Sequence, residues 1–159
     1  MGLEWKNELR RQASQHGMCA ENRHALENVE TKAQAIILYK KTIDWALEEN
    51  YPTIETIRKY FSDCESLGVF VDREFHGEVL DSKQVYIFHH CKGTIKTGLN
   101  VGSKLIPMLY FANDCDIRIE SKCNTPITIK VPLYVFGSNR ISAEQSDDIE
   151  CKIYKFETK

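Results

Sequence analysis

Hydrophobic side chains recur at helical spacing near the start of the chain. Trp5, Leu9 and Ala13 lie four residues apart, which predicts a short helix with one apolar face. Gly17 follows this pattern and is expected to end the helix, because glycine readily adopts the left-handed conformation found at many helix ends. The segment 18–29 carries a weaker helical signal.

The next apolar segment predicts a longer helix and then a short one. Thr31 followed three residues later by Gln34 is a capping-box pattern, and the apolar positions after it recur for about five turns. Asn50 and Pro52 are expected to end this helix, and Thr53 to cap the short one that follows. Because the link between them is so short, the two helices should fold back on each other.

After Gly68 the hydrophobic pattern changes from the period of a helix to that of a strand. In the segment 115–121 the alternation is regular, with Cys115, Ile117 and Ile119 on the inward face and charged residues on the other. Polar turn residues separate such segments. The predicted strands are Val69–Val71, Gln84–Cys91, Gly93–Thr97, Leu105–Phe111, Cys115–Ser121, Pro126–Phe136, Arg140–Ala143 and Ile149–Phe156.

The spacing of these strands predicts an architecture. From residue 85 onward the strand starts follow one another every 9 to 14 residues, and no Asn-Gly type of two-residue hairpin turn separates them. Pro107 and Pro132 suit corners or edges, because proline donates no backbone hydrogen bond. We therefore predict an α+β protein with a helical head at residues 1–66 and an all-β body at residues 67–159. The body is expected to form a short β-solenoid, with a β-sandwich or barrel as the alternative.

Three segments of the chain together form a specific pattern: Leu38–Trp45, Asn50–Thr53 with Ile57, Arg58 and Phe61, and Gly68–Asp72. In this pattern the chain resembles an uncharacterised family found in gut Bacteroidales bacteria and in their tailed phages and prophages. The resemblance implies a helical head before a solenoid-like β body, together with a phage or prophage association, and it implies no catalytic residues. The chain departs from the family pattern at residues 1–30 and 130–136, where a partner of its own would dock.

Composition and charge narrow the classes of function. The chain has 159 residues and a formal net charge of −2, so it lacks the positive charge of a general nucleic-acid binder. It shows no signal peptide at its start and no apolar run of the ~18 residues that a membrane helix needs. We therefore expect a cytoplasmic protein with no membrane partner. The resemblance implies that this cytoplasm is that of a bacterial host, with a virion as the other location.

The cysteines are expected to be thiols rather than disulfides. A chain of this length builds its own hydrophobic core, and without an export signal it stays in a reducing compartment. The six cysteines are Cys19, Cys64, Cys91, Cys115, Cys123 and Cys151.

A winged helix that binds DNA is an alternative interpretation of the segment 51–75. In it, the short helix after Thr53 would enter the major groove, and the segment 67–71 would open the wing. That helix offers only Arg58 and Lys59 as basic contacts, and Glu55 would also face the phosphates. The sequence therefore does not favour nucleic acid as the partner.

Metal, nucleophilic and phosphate sites are each incomplete in this sequence. The two groups of potential zinc ligands are His16, Cys19 and His24, and His89, His90 and Cys91. Neither supplies four ligands at tetrahedral spacing, and in a strand His90 would point away from Cys91, which also leaves that thiol without a base. The glycine-containing segment 98–104 lacks the spacing of a phosphate loop. The paired carboxylates lie in turn sequences and predict no active site: Asp114 and Asp116, and Asp147 and Asp148. We predict no catalytic residue, no metal and no cofactor.

One row of side chains predicts a contact surface. If the strand before residue 137 alternates, its outward row combines aromatic rings with a lysine, a composition favoured at interfaces. The row is Thr128, Lys130, Pro132, Tyr134 and Phe136. Burial of the same strand on both faces is the alternative.

The sequence as a whole predicts a non-enzymatic structural or protein-interaction protein. It would be phage-associated, as a virion component or an adaptor, and would act through contacts with copies of itself, with another protein, or with both. A DNA-binding regulator is the first alternative, and a small enzyme or carbohydrate binder that uses a groove along the β body is the second.

Overall fold

The computed structural model describes residues 3–80, 82–97, 107–121, 129–144 and 149–158. The chain folds into two compact units, and the boundary lies between Leu67 and Gly68. The first unit is helical and the second, which extends to Glu157, is built from β-strands.

The helical unit contains five α-helices and one short 3-10 helix among its described residues. They are α1 Glu4–Gln15, α2 Ala20–Glu27, α3 Lys32–Lys41, α4 Ile43–Glu49, α5 Ile54–Tyr60 and the 3-10 helix Glu65–Leu67. The first predicted helix is confirmed, since Trp5, Leu9 and Ala13 are buried along α1 and Gly17 has φ +70° after its end. None of these described helices has both the length and the apolar character needed to cross a membrane.

The predicted five-turn helix is two helices that meet at Thr42. The capping box at its start is confirmed: the Thr31 side chain accepts a hydrogen bond from the Gln34 backbone, and the Gln34 side chain accepts one from the Thr31 backbone. At Thr42 the hydroxyl donates to the Leu38 carbonyl at 3.0 Å, and φ −107° departs from helical geometry. Such local bonding competes with the helical ladder, which explains the break.

A buried glutamine joins α1 to the start of α5. The Gln12 side chain is 1% exposed and donates to Thr56 Oγ1 at 2.6 Å. Its carbonyl oxygen accepts from the Thr53 backbone at 2.8 Å, so the cap of α5 is held partly by α1. Buried polar groups of this kind add specificity when every member has a partner.

The second unit consists of nine strands among its described residues. They are β1 Val69–Val71, β2 Glu74–Val79, β3 Val85–His89, β4 Lys92–Thr97, β5 Met108–Phe111, β6 Asp116–Ser121, β7 Ile129–Phe136, β8 Arg140–Glu144 and β9 Ile149–Phe156. β2 was not predicted from the sequence. Its alternation is interrupted at Gly77, which has φ +87° and lies where the register shifts between His76 and Glu78.

Successive strands belong alternately to two parallel sheets. The odd strands form a five-stranded sheet in the order β1-β3-β5-β7-β9, and the even strands form a four-stranded sheet in the order β2-β4-β6-β8. Every ladder is parallel, as in the pairing of β7 with β9 that places Tyr134 beside Tyr154. Each sheet therefore has two open edges along the described chain.

The predicted fold class is wrong. The structure is a mixed α/β protein with five helices and two parallel sheets, in place of an α+β protein with a β-solenoid, and no solenoid is closed in the described residues. The sandwich or barrel alternative is built from antiparallel strands, whereas every ladder here is parallel. The spacing of strands along a sequence measures the length of a strand and its turn. It does not reveal which strands pair, so it could not distinguish these arrangements.

The two sheets pack face to face on one core. Side chains from both sheets form a single buried cluster, which includes a stack of Phe70, Phe88 and Phe111 with ring centroids 5.5 and 4.8 Å apart. Even-strand residues such as Ile95 and Ile117 lie on the other side of this cluster. The alternation predicted for the segment 115–121 is confirmed at Cys115, Ile117 and Ile119, all of which are buried.

The corners between the odd and even strands use left-handed backbone. Asp72, His90 and Asp114 have φ between 52° and 64°, and Gly137 has φ 78° at the equivalent corner. An added Cβ at Gly137 would collide with the side chain of Asn113, which accepts a hydrogen bond from the Ser138 backbone. Glycine is therefore required there by both its conformation and the close approach.

Candidate interaction surface

The last strand of each sheet lies at an open edge of the β unit. β9 is the final strand of the five-stranded sheet and β8 is the final strand of the four-stranded sheet. An edge strand presents backbone N–H and C=O groups that another chain can pair with. We call the surface formed by β8 and β9 the β8–β9 end.

A ladder of tyrosines on the outer face of the five-stranded sheet ends at this surface. Tyr110, Tyr134 and Tyr154 occupy the same register position in three neighbouring strands, and their ring centroids are 4.6 and 5.2 Å apart. Exposure rises along the ladder, from 7% at Tyr110 to 37% at Tyr154. The last ring therefore has one face stacked on a neighbour and much of its remaining surface uncovered.

A second ladder ends in the same way. Phe136 and Phe156 stack with centroids 4.7 Å apart, and their exposure is 2% and 42%. The inward row shows the same contrast, because Leu133 is fully buried while Ile153, its partner in β9, is 39% exposed. Ile153, Tyr154 and Phe156 of β9 are thus partly exposed. Each lies beside a residue of β7 that is either well buried or stacked against it.

β8 adds a charged outer row and a small apolar inner row. Arg140, Ser142 and Glu144 are exposed, whereas Ile141 and Ala143 are partly buried against the core. Glu144 accepts a hydrogen bond of 2.8 Å from Arg118 of the neighbouring strand β6. The alternation places every charge of this strand on the solvent face.

An open concavity of about 560 Å³ lies at the corner before β8. Its lining includes Asp114, Asp116, Arg140 and Lys155, so carboxylates and cations share the surface. Asp114 also lies 3.5 Å from the His90 ring and is 66% exposed. Opposite charges this exposed are well hydrated, and the paired carboxylates therefore form a polar corner. Asp147 and Asp148 lie outside the described residues.

The predicted contact row lies mostly in β7, one strand inside the edge. Pro132 and Tyr134 are partly exposed on its outer face, while Phe136 on the same face is buried. Lys130 belongs to β7, but its side chain lies outside the described part of the structure, as does the whole of Thr128. The structure thus places Tyr134 and Phe136 inside the ladders that lead to Tyr154 and Phe156.

The residues of the DNA-binding alternative lie on a short exposed helix surface. Arg58 and Lys59 are both exposed on α5, which has seven residues. The segment expected to open a wing contains β1, which pairs in parallel with β3. A winged helix needs a hairpin here. Among the described strands that follow the 3-10 helix Glu65–Leu67, every ladder is parallel, so none of them forms a hairpin.

The two groups of potential metal ligands are dispersed. Cys19 and His24 are exposed around α2, and His16 lies 3.5 Å from Glu49. In the ranges that the structure describes, no three His, Cys, Asp or Glu side chains are arranged to hold a metal ion. The second group lies at a corner, because β3 ends at His89 and His90 has φ 52°. The prediction that one strand extends through Cys91 is therefore wrong.

Two of the buried thiols, Cys64 and Cys115, are poor nucleophiles. The five cysteines among the described residues are thiols, and four of them are buried. Burial raises the pKa of Cys115 to about 12 and that of Cys64 to about 11. A thiol with so high a pKa has almost no thiolate at neutral pH and is a poor nucleophile. Cys123 and the glycine-containing segment 98–104 lie outside the described residues.

The buried histidine at the end of β3 predicts acid sensitivity. Burial, together with the smaller effect of the neighbouring His90, lowers the pKa of His89 from 6.5 to about 3, and Asp72 opposes this shift. The unfolded chain therefore binds a proton between these pH values that the folded chain does not, so stability falls as pH drops below 6.5. We expect about 2 to 3 kcal/mol of this loss between about pH 7.5 and about pH 4.5.

Urea unfolding of the wild type and of His89→Gln at both pH values would measure this effect. The variant has no titrating side chain at this position. Its loss of stability between the two pH values should therefore be about 2 to 3 kcal/mol smaller than that of the wild type. Equal pH dependence in the two proteins would show that His89 titrates normally in the fold.

The exposed apolar residues of the β8–β9 end were not among the predicted site residues. Ile153, Tyr154 and Phe156 lie in a strand that was correctly predicted, but its position at the edge was not. The signal available was the run of apolar residues on both faces of β9, which would be unusual for a solvated strand.

Comparisons with protein-family models, with curated proteins and with solved structures find no match to this chain. The proposals below therefore depend on the geometry of the chain and on the sequence resemblance described above.

Proposed function

We propose that the protein is a non-enzymatic structural or protein-interaction protein that assembles through the β8–β9 end. The observation that carries this proposal is the uncovered end of the aromatic ladders and of the inward row, at Ile153, Tyr154 and Phe156. Apolar residues gathered at one edge of a sheet are characteristic of protein contact surfaces. Pairing with a further strand would bury them and satisfy the open backbone groups of β9 at the same time.

The location in which the protein acts is proposed from the sequence. The resemblance to the phage and prophage family supports a virion component or an adaptor that acts in the cytoplasm of the bacterial host. The weakly nucleophilic buried thiol of Cys115 and the hydrated carboxylate of Asp114 at the corner are consistent with a non-enzymatic role.

The proposal predicts association that one substitution in β9 removes. Wild-type protein should show a mass above the 18.4 kDa of the single chain, rising with concentration, in light scattering. Ile153→Asp should weaken association at least about tenfold, because it places a charge in the surface that must be buried. At concentrations where both proteins are monomeric, its melting temperature should stay close to that of the wild type, since Ile153 is already 39% exposed.

Ile37→Asp is the matched control. Ile37 is 68% exposed on α3, in the helical unit, so the same substitution there should leave association unchanged. A wild-type mass of 18.4 kDa at every concentration would contradict the proposal, as would equal association of wild type and Ile153→Asp.

A further inference from the structure

We infer that the partner at the β8–β9 end is a second copy of this chain, related by a two-fold axis that passes through both sheets. β8 would pair antiparallel with β8 of the partner subunit, and β9 with β9. This inference rests on the proposed function, and it specifies both the partner and the symmetry of the contact.

The geometry of an edge determines the direction of pairing. When identical edge strands meet about an axis perpendicular to a sheet, they run antiparallel and each face of the sheet continues into the same face of the partner. Because the two sheets pack face to face, one such axis can extend both at once. The apolar residues of the inward rows then continue the core, while Lys155, also on the inward row of β9, stays beside the open concavity at the corner. The outward rows remain together on the surface.

The sequence of β8 is complementary to itself in this arrangement. With Ser142 on the axis, Arg140 lies opposite the partner's Glu144, and Glu144 lies opposite the partner's Arg140. On the inner face, Ile141 lies opposite the partner's Ala143, so a larger residue meets a smaller one. Opposite charges placed directly across an antiparallel pair favour the pairing, whereas like charges oppose it.

β9 is compatible with the same axis. Val135, Lys155 and Arg140 line one concavity, which places Arg140 near the level of Lys155. From this we infer that Ser142, two residues further along β8, lies at about the level of Ile153 and Tyr154, two and one residues before Lys155 in β9. An axis through Tyr154 would continue the tyrosine ladder across the contact.

The same axis keeps the lysines of β9 apart. Lys152 would lie opposite the partner's Phe156, and Lys155 opposite the partner's Ile153, so neither meets another lysine. Lys152 Nζ already lies 5.2 Å from the centre of the Tyr154 ring, and a second aromatic neighbour extends this kind of contact.

A head-to-tail filament is less favourable than this closed dimer. In a filament β8 would pair with β2 of the next copy, but β2 has a register shift between His76 and Glu78 and a positive φ at Gly77. A bulge of this kind is a common means of preventing edge pairing. β8 has an unbroken register along its whole length.

The first test mixes two charge-reversed chains. Arg140→Glu alone brings carboxylates together across the axis, and Glu144→Arg alone brings guanidinium groups together, so each variant should dimerise at least about tenfold more weakly than wild type. In an equimolar mixture every facing pair is again of opposite charge, and a heterodimer should form with an affinity near that of the wild type. Native mass spectrometry with one tagged chain separates the species, and thermal melts verify that each variant is folded.

The second test places a cysteine on the axis. Ser142→Cys, in a Cys19→Ser and Cys123→Ser background, should form a disulfide-linked dimer with oxidised glutathione, because residues on the axis face their own copies about 5 Å apart. Ser138→Cys in the same background is the control, since Ser138 is exposed but lies in the corner before β8. It should yield no cross-linked dimer.

The outcomes separate this inference from the proposed function. If the wild type associates but the mixture forms no heterodimer and Ser142→Cys forms no cross-link, the two-fold pairing is wrong and the proposed function stands. If the wild type stays monomeric at all concentrations, both are wrong.

Discussion

Gly93→Ala is expected to unfold the β unit or to reduce its stability by about 3 to 5 kcal/mol, the range of severe single substitutions. Gly93 has φ +115°, and it pairs with Phe75 across the ladder of β4 and β2. An added Cβ would overlap the carbonyl oxygen of Phe75 and lie 2.7 Å from its backbone nitrogen. These are backbone atoms, so no side-chain rotation relieves the collision and the ladder itself must open.

Gly77→Ala is a matched control for this prediction. Gly77 also has a positive φ, +87°, but the nearest atom to an added Cβ is the flexible end of Lys96 at 3.7 Å. Both variants bear the cost of about 1 kcal/mol for left-handed backbone, and only Gly93→Ala adds the collision. The free energies of unfolding of the two variants, measured in urea, should therefore differ by at least about 2 kcal/mol. Equal stabilities would show that the backbones of β2 and β4 do not approach so closely.

Ile117→Asp is the second substitution with a large expected effect. Ile117 is 1% exposed in the core cluster, where it lies beside Gly93 and Ile141 in neighbouring strands. An aspartate there is either charged and unpaired or protonated and unsatisfied, at a cost of about 4 kcal/mol or more. Because burial raises the pKa of a carboxyl group, the loss should be larger at about pH 8 than at about pH 5.

Arg118→Asp tests the same strand one residue further along. Arg118 is exposed on the outer face, and its ion pairs with Glu144 and Glu120 are at the surface, so this substitution should reduce stability far less than Ile117→Asp, although it places an aspartate beside two glutamates. Thermal and urea unfolding of the two variants would measure the difference. If Ile117→Asp were as stable as Arg118→Asp, the inward and outward faces of β6 would be assigned wrongly.

The elements that sequence analysis predicted correctly depend on neighbouring residues. The capping box of Thr31 and Gln34 closes within four residues, and the alternation of Cys115, Ile117 and Ile119 follows from the period of a strand. The break at Thr42 was missed because a threonine hydroxyl can face solvent or bond to the preceding turn, and the sequence does not distinguish these. β2 was missed because Gly77 interrupts its alternation.

The predicted contact row and the proposed surface overlap only in part. Tyr134 and Phe136 of the predicted row belong to the ladders that reach the edge of the same sheet face. Its exposed members, Tyr154 and Phe156, were not among the predicted site residues. Whether an aromatic residue is a stacked interior ring or the uncovered end of a ladder depends on how many strands follow it in the sheet, and that is not a local property.

The sequence by itself determined the change from helices to strands near Gly68, the start of α3 at its capping box and the inward face of strands such as β6, because these depend on hydrogen bonds and periodicities a few residues long. Only the tertiary structure decided that alternate strands join separate parallel sheets, that Gly93 lies against the backbone of Phe75, and that β8 and β9 are the open edges. Those features arise from pairing between segments some twenty residues apart, as between Tyr134 and Tyr154, where many registers share the same local pattern. The packing of a common core selects one of them.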